Sequence, residues 1–86
     1  MEMLEMNLSL LQRLIEWDPL GYGEDSYDPE IADTIQAVHV LSSVKELARK
    51  IQSIYEFSFE EIIPLSECTA MAEALLAIKN ESSCSL

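Results

Sequence analysis

Apolar residues recur at helical spacing along most of this chain, and this pattern predicts an all-α fold. The first predicted helix carries two adjacent apolar rows, one of Leu4, Leu8, Leu11 and Ile15 and one of Leu10, Leu14 and Trp17. Pro19 disfavours helical geometry at Asp18, so we expect this helix to end near Trp17.

A second helix is predicted to start at Asp28-Pro29-Glu30. Asp28 suits the N-cap, Pro29 suits the first helical position, and the carboxylate of Glu30 favours the positive end of the helix dipole. The apolar stripe that follows consists of Ile31, Ile35, Val38 and Leu41.

Two further helices follow the second. Ser43 and Glu46 form a capping-box signature for the third helix. Residues 57–63 either continue that helix or form a short extended piece, and Pro64 ends the segment in both interpretations. Ser66 is the predicted cap of a fourth helix, whose stripe is Cys68, Met71, Leu75 and Ile78.

The predicted architecture is a compact bundle or irregular array of three to four short helices with one long loop at about residues 18–28. A single domain is expected over residues 1–80, with a flexible C-terminal tail at 81–86. The loop exceeds the ~2–8 residues usual for helix links in bundles.

Turn chemistry accounts for most of this loop. Asp18, Pro19 and Gly21 occupy the first, second and fourth positions of a type I turn, where each residue type is favoured. Trp17 continues a buried row and is expected to anchor the start of the loop. Tyr27 precedes the Asp28-Pro29 helix start, and we expect its ring to pack back onto the second helix.

A calcium loop does not fit this stretch. If Asp18 were position one, the third and fifth ligands would be Leu20 and Tyr22, and position twelve would be Pro29. We therefore predict no metal here, and since the sequence has no glycine-rich phosphate loop or dinucleotide fingerprint we predict no cofactor. Glu24 and Asp25 lack a structural role and lie beside Tyr22, so these three residues are the predicted surface for a protein partner; a packed turn with solvated acids is the alternative.

The net charge of the chain indicates which classes of partner it would attract or repel. The chain has 16 Asp and Glu against 5 Lys and Arg, a formal net charge of −11. Phosphate-rich nucleic acid and anionic membrane surfaces would repel such a domain, whereas a basic protein would attract it. The N-terminus lacks the features of a signal peptide, and two cysteines form no disulfide framework, so a cytoplasmic location is expected. A homodimer is compatible with so small a core.

No catalytic set is visible, and we predict a non-enzymatic interaction domain. Cys68 lies on a core stripe, and the single histidine lies at a helix edge. Two alternatives stay open: a small-ligand protein or enzyme that uses Asp18, Asp28 or His39, and a purely structural self-associating protein.

Two motifs resemble a known family. Trp17-Asp18-Pro19-Leu20-Gly21, followed by Tyr27-Asp28-Pro29-Glu30-Ile31, is similar to the pattern of small bacterial helical proteins catalogued as domain of unknown function 1871. The segment Leu47–Ile54 and the last helix through Leu75-Leu76 also look similar, so the likeness covers most of residues 7–79. Ser26 and Tyr22 depart from the family pattern. The resemblance implies an all-α fold and a Gram-positive cytoplasmic setting, and no activity or site residue carries over. Similar small acidic domains occur among toxin-immunity proteins, which favours that class of partner.

Overall fold

Four α-helices and one short 3₁₀ helix make up the part of the chain that the computed structural model describes, namely the backbone of residues 3–84 and the side chains of 5–23 and 26–81. The helices are α1 (Met3–Glu16), α2 (Asp28–Val40), α3 (Val44–Phe59) and α4 (Leu65–Cys84), with the 3₁₀ helix at Glu24–Tyr27. No strand occurs in this range. The all-α fold class is confirmed.

The core forms where α3 packs against α4, the most extensive helix contact of the molecule. α2 packs against α3, and α1 lies across α4 and α2. Every element contributes large side chains that are fully buried: Leu10, Leu14, Tyr27, Ile31, Val38, Leu47, Ile51, Tyr55, Ile63 and Leu75. Burial of such side chains is the main favourable contribution to folding in a domain this small.

Helix starts agree with the sequence in one case and differ in another. The Ser43 hydroxyl accepts a hydrogen bond from the Glu46 amide (3.4 Å), so Ser43 is the N-cap of α3 as predicted. The prediction that Asp28 caps α2 is wrong, because Tyr27 holds that position and Asp28 already has helical angles (φ −51, ψ −53). The 3₁₀ helix leads directly into α2, which leaves Asp28 inside the first turn without a capping hydrogen bond from its side chain.

Residues 57–63, which the sequence predicts as either helical or extended, consist of a helical part and an irregular part. α3 continues to Phe59, and Glu60 then takes the left-handed conformation (φ 56), with its amide donating to the Glu56 carbonyl at 2.8 Å. Residues 61–64 have no regular structure. The helix therefore includes Phe59 and stops before Ile62.

Pro64, and not Ser66, sets the start of α4. The Pro64 carbonyl accepts hydrogen bonds from the amides of Glu67 (3.0 Å) and Cys68 (3.2 Å). Ser66 is already the second residue of the helix, so its predicted capping role is wrong. α4 extends to Cys84, past the predicted domain boundary at residue 80, and residues 85–86 lie outside the described residues.

A lysine joins α4 to the end of α2. The Lys79 Nζ donates to the carbonyls of Val38 (2.8 Å) and Leu41 (3.3 Å). These carbonyls belong to the negative end of α2, where a cation is stabilising. The contact ties together two helices that are about forty residues apart in the sequence.

Candidate functional site

The carboxylate of Asp18 organises the connection between α1 and the 3₁₀ helix. Its Oδ1 accepts from the Tyr22 amide (3.0 Å), and its Oδ2 accepts from the Gly23 amide (3.2 Å). The Tyr27 hydroxyl also donates to Oδ1. This last hydrogen bond, helped by the backbone amides, holds the pKa of Asp18 below its ordinary value, because each donor favours the charged carboxylate. The Asp18 carboxylate therefore has a structural role in this loop.

The hydroxyl group of Tyr27 stabilises the same loop from its buried side. Its side chain is buried, and its hydroxyl accepts from the amides of Leu20 and Tyr22, each at 3.3 Å. Sequence reasoning expected the ring to pack on α2, but its aromatic neighbours belong to α3: Tyr55 at 5.6 Å and Phe59 at 5.4 Å between ring centroids. Burial and the bond to Asp18 raise the pKa of Tyr27.

The glycines and Trp17 complete the frame of the loop. Gly21 and Gly23 have positive φ values of 77 and 103, a conformation that side chains rarely allow. Trp17 is half-buried and meets Tyr55 edge-on, with 5.4 Å between ring centroids. The residues predicted to turn the chain thus lie together over an aromatic cluster formed by Trp17, Tyr27, Tyr55 and Phe59.

Tyr22 lies at the crest of the loop and is 51% exposed. Its ring stacks on Phe59, with centroids 5.4 Å apart and planes inclined by 29°, and its hydroxyl donates to Glu61 Oε2. That hydrogen bond raises the pKa of Tyr22. Tyr22 is one of the three residues of the predicted partner surface. Phe59 and Glu61 hold its side chain in place, while half of that side chain is exposed to solvent. Glu24 and Asp25 belong to the 3₁₀ helix, but their side chains lie outside the described residues.

No hydrogen bond joins any two of the three residues considered for small-ligand chemistry, all of which are described. Asp18 is engaged by its own loop, and His39 Nε2 lies 2.7 Å from Asn7 Oδ1 on α1. Asp28 and His39 lie near opposite ends of α2, about 16 Å apart along its axis at ~1.5 Å per residue. None of the three lines the groove of ≈ 600 Å³ between α2 and α3.

The described residues contain neither a candidate metal site nor a thiol with a lowered pKa. No group of three or more His, Cys, Asp or Glu side chains is placed to hold a metal ion there. Cys68 is buried, and burial with the nearby Glu67 raises the pKa of its thiol to about 11. It is therefore a neutral thiol at physiological pH. The side chain of Cys84 lies outside the described residues.

The outer face of α1 carries exposed apolar residues, which are relevant to the prediction of self-association. Leu8 is 54% exposed and lines, with Leu11 and Ile15, a shallow groove of ≈ 610 Å³. These residues belong to the first apolar row predicted for the helix, whereas the second row (Leu10 and Leu14) is buried. Self-association remains a prediction.

Sequence reasoning missed one surface, the corner between α3 and α4. Phe57, Ile62 and Leu65 are exposed there, and Glu61 of the same corner receives the Tyr22 hydroxyl. A usable signal existed in the sequence: Phe57 lies two positions from Tyr55, so a helix that buries Tyr55 must turn Phe57 outward.

The fold and the loop together define a small all-α domain whose first connection packs on the end of its third helix. The chain matches the family model described as "Domain of unknown function (DUF1871)" over residues 9–85, and it belongs to that family. The resemblance in the Trp17 and Tyr27 motifs is therefore confirmed.

Two relatives support this assignment. The chain is 43% identical over 75 residues to "Uncharacterized protein YugE" of Bacillus subtilis (strain 168), which covers 87% of each protein. It is similar to the crystal structure of APC36109 from Bacillus stearothermophilus, with a TM-score of 0.87 and 44% identity over 91% of this chain and 96% of that one. Within the described residues, no helix combines the length and the apolar character needed to cross a membrane.

Proposed function

We propose that this protein is a non-enzymatic interaction domain that binds a basic protein through the surface of Tyr22, Glu24 and Asp25. The observation that supports it is the state of Tyr22: one face of the ring is held by Phe59 while half of the side chain is exposed. An aromatic side chain fixed in this way loses little conformational entropy on binding, which is typical of residues that contribute most to an interface.

Charge supports a basic partner. With 16 acidic residues against 5 basic ones, the domain attracts positive surfaces and speeds their approach. The enzyme alternative has less support because the Asp18 carboxylate is used by backbone amides of its own loop. An immunity role is a narrower form of the proposal, in which the basic partner is a toxin.

Affinity capture with two charge-matched variants tests the proposal. Tagged wild-type protein, Glu24→Lys with Asp25→Lys, and a control of Glu73→Lys with Glu81→Lys would each be used to capture partners from a Bacillus lysate. Glu73 and Glu81 are exposed on α4, and both pairs change the net charge equally. Captured proteins would be quantified by mass spectrometry, and melting temperatures would be measured in parallel.

We expect the loop variant to lose a basic protein that the control retains, with little change in melting temperature. Equal capture by the wild type and the loop variant would refute the loop surface. If the captured protein arrests growth when expressed alone and not when co-expressed with this chain, the partner is a toxin and the role is immunity.

A further inference from the structure

The corner between α3 and α4 exposes three large apolar side chains within a short stretch of chain. Phe57 is 90% exposed, Ile62 is 68% exposed and Leu65 is 43% exposed. Single exposed apolar residues are common on protein surfaces, but three large ones within nine residues, among them an almost fully exposed phenylalanine, are typical of a binding surface.

Folding of the domain does not account for these side chains. α3 buries the stripe of Leu47, Ile51 and Tyr55, and Phe57 lies about 200° around the helix from Tyr55 at ~100° per residue. In the connection, Ile63 is buried while Ile62 points outward. The core is thus complete without Phe57 or Ile62.

The corner is also fixed by hydrogen bonds. Gln52 Nε2 donates to the Ile63 carbonyl at 2.8 Å, and the Pro64 carbonyl accepts from the first turn of α4. Glu60, in the left-handed conformation, closes α3 through its amide. A surface fixed before binding loses less conformational entropy when a partner docks.

Four exposed glutamates occur in the same stretch of chain as the apolar group: Glu56, Glu60, Glu61 and Glu67. No lysine or arginine occurs between Lys50 and Lys79. The corner therefore combines exposed apolar side chains with carboxylates, and its electrostatic complement is an apolar pocket edged by lysines or arginines. Phosphate-bearing surfaces would meet repulsion from all four carboxylates.

The corner is continuous with the loop surface, because the Tyr22 hydroxyl donates to Glu61 and the Tyr22 ring stacks on Phe59. We propose that Phe57 is the anchor of the protein–protein interface: it enters an apolar pocket of a basic partner protein, while Ile62 and Leu65 cover the pocket's edge. This inference rests on the proposed function, for it locates the centre of the interface with the same basic partner.

A library of short random peptides provides the probe. It would be selected on the wild-type protein alone, and the affinities of the enriched peptides would then be measured for the wild type and each variant by fluorescence anisotropy. Val40→Ala is the matched control, because Val40 is an apolar residue 78% exposed at the end of α2. Circular dichroism would verify that both variants melt as the wild type does.

We expect enriched peptides to be rich in lysine or arginine with apolar residues between them. Phe57→Ala should weaken their binding about tenfold or more, as for a central interface residue, while Val40→Ala leaves it unchanged. Glu60→Gln with Glu61→Gln should weaken binding and reduce its dependence on salt, since fewer ion pairs form. Peptides that bind Phe57→Ala as tightly as the wild type, no enrichment, or enrichment of acidic or uncharged peptides would overturn the inference.

A second copy of this chain or a lipid surface bound at the corner would give results that differ from those expected for a basic protein. If sedimentation shows that the wild type is a dimer and that Phe57→Ala is a monomer, the corner binds a second copy and the inference fails. Binding to phosphatidylglycerol vesicles that Phe57→Ala abolishes would overturn it as well.

The loop variant separates this inference from the proposed function. If Glu24→Lys with Asp25→Lys reduces peptide binding and Phe57→Ala does not, the loop surface stands and the corner is not its anchor. If only Phe57→Ala reduces binding, the corner stands and the loop surface fails. If neither variant changes binding, both fail.

Discussion

Tyr27 and Tyr55 are both fully buried and adjacent, yet their hydroxyl groups differ completely in hydrogen bonding. The Tyr27 hydroxyl donates to Asp18 and accepts from two backbone amides. The Tyr55 hydroxyl has no hydrogen-bond partner among the described residues, and the nearby Thr34 hydroxyl donates to the Glu30 carbonyl at 2.7 Å. A buried hydroxyl without a partner costs free energy, whereas a bonded one does not.

This difference predicts opposite results for the same substitution. Tyr27→Phe should lower the free energy of unfolding by about 1–3 kcal/mol, because it leaves the Leu20 amide without its partner and removes one donor from the Asp18 carboxylate. Tyr55→Phe should leave that free energy unchanged or raise it by up to about 1 kcal/mol. Urea denaturation of both variants measures the difference, and a larger loss for Tyr55→Phe would contradict the hydrogen-bond assignment.

At the residue scale, the loop chemistry of Asp18 is local: its carboxylate accepts the amides of Tyr22 and Gly23, only four and five positions along the chain. The type I turn at Asp18, Pro19 and Gly21 stays a prediction. The place of Tyr27 could not be predicted, because its ring is held by Tyr55 and Phe59 of a helix nearly thirty residues further along the chain.

At the element scale, the helix ends show what local signals decide. α1 ends at Glu16 next to the Asp18-Pro19 pair, and α3 starts after Ser43, as the sequence predicts. α3 ends without such a signal, because Glu60 adopts the left-handed conformation that glycine usually supplies at this position. Sequence reasoning could not place this end, because glutamate carries no preference for that geometry.

Glu60→Gly should therefore stabilise the domain. Removing the side chain relieves the left-handed strain and should raise the free energy of unfolding by about 0.5–1 kcal/mol after the added flexibility of the unfolded chain is included. Glu60→Ala is the control, because it removes the carboxylate but keeps a β-carbon at the same positive φ. It should leave stability nearly unchanged, and thermal denaturation of the two variants side by side distinguishes them; equal shifts would show that the conformation of Glu60 carries no strain.

At the scale of the whole molecule, all three tyrosines of the chain share one electrostatic property. The pKa of each is raised: by the hydrogen bond to Glu61 for Tyr22, and chiefly by burial for Tyr27 and Tyr55. Neighbouring carboxylates add to the effect, through Asp18 at Tyr27 and Glu30 at Tyr55. The folded protein thus favours neutral tyrosine more than the unfolded chain does.

This property predicts alkaline destabilisation. Since the folded pKa values lie above the unfolded value of 10.0, their contribution to stability is complete well below pH 10 and is lost as the pH rises through and beyond that value, where unfolding releases protons. Urea denaturation at increasing pH should show the loss, and the tyrosinate absorbance of the folded protein should reach half of its final value above pH 10. Tyr55→Phe should reduce the slope, while half-titration at or below pH 10 would contradict the prediction.

The sequence by itself determined the all-α class, the family, the acidic character and the end of α1, since these depend on composition and on residues near one another in the chain. Tertiary structure alone decided which aromatic side chains support the loop, where Lys79 binds the end of α2, and that Tyr22 of the loop meets Glu61 beyond α3. Each of these depends on contacts between distant segments, or on which face of a helix its neighbours leave uncovered. The apolar spacing along a helix predicts that it has a buried face, but only the packed neighbours determine which apolar residues that face contains.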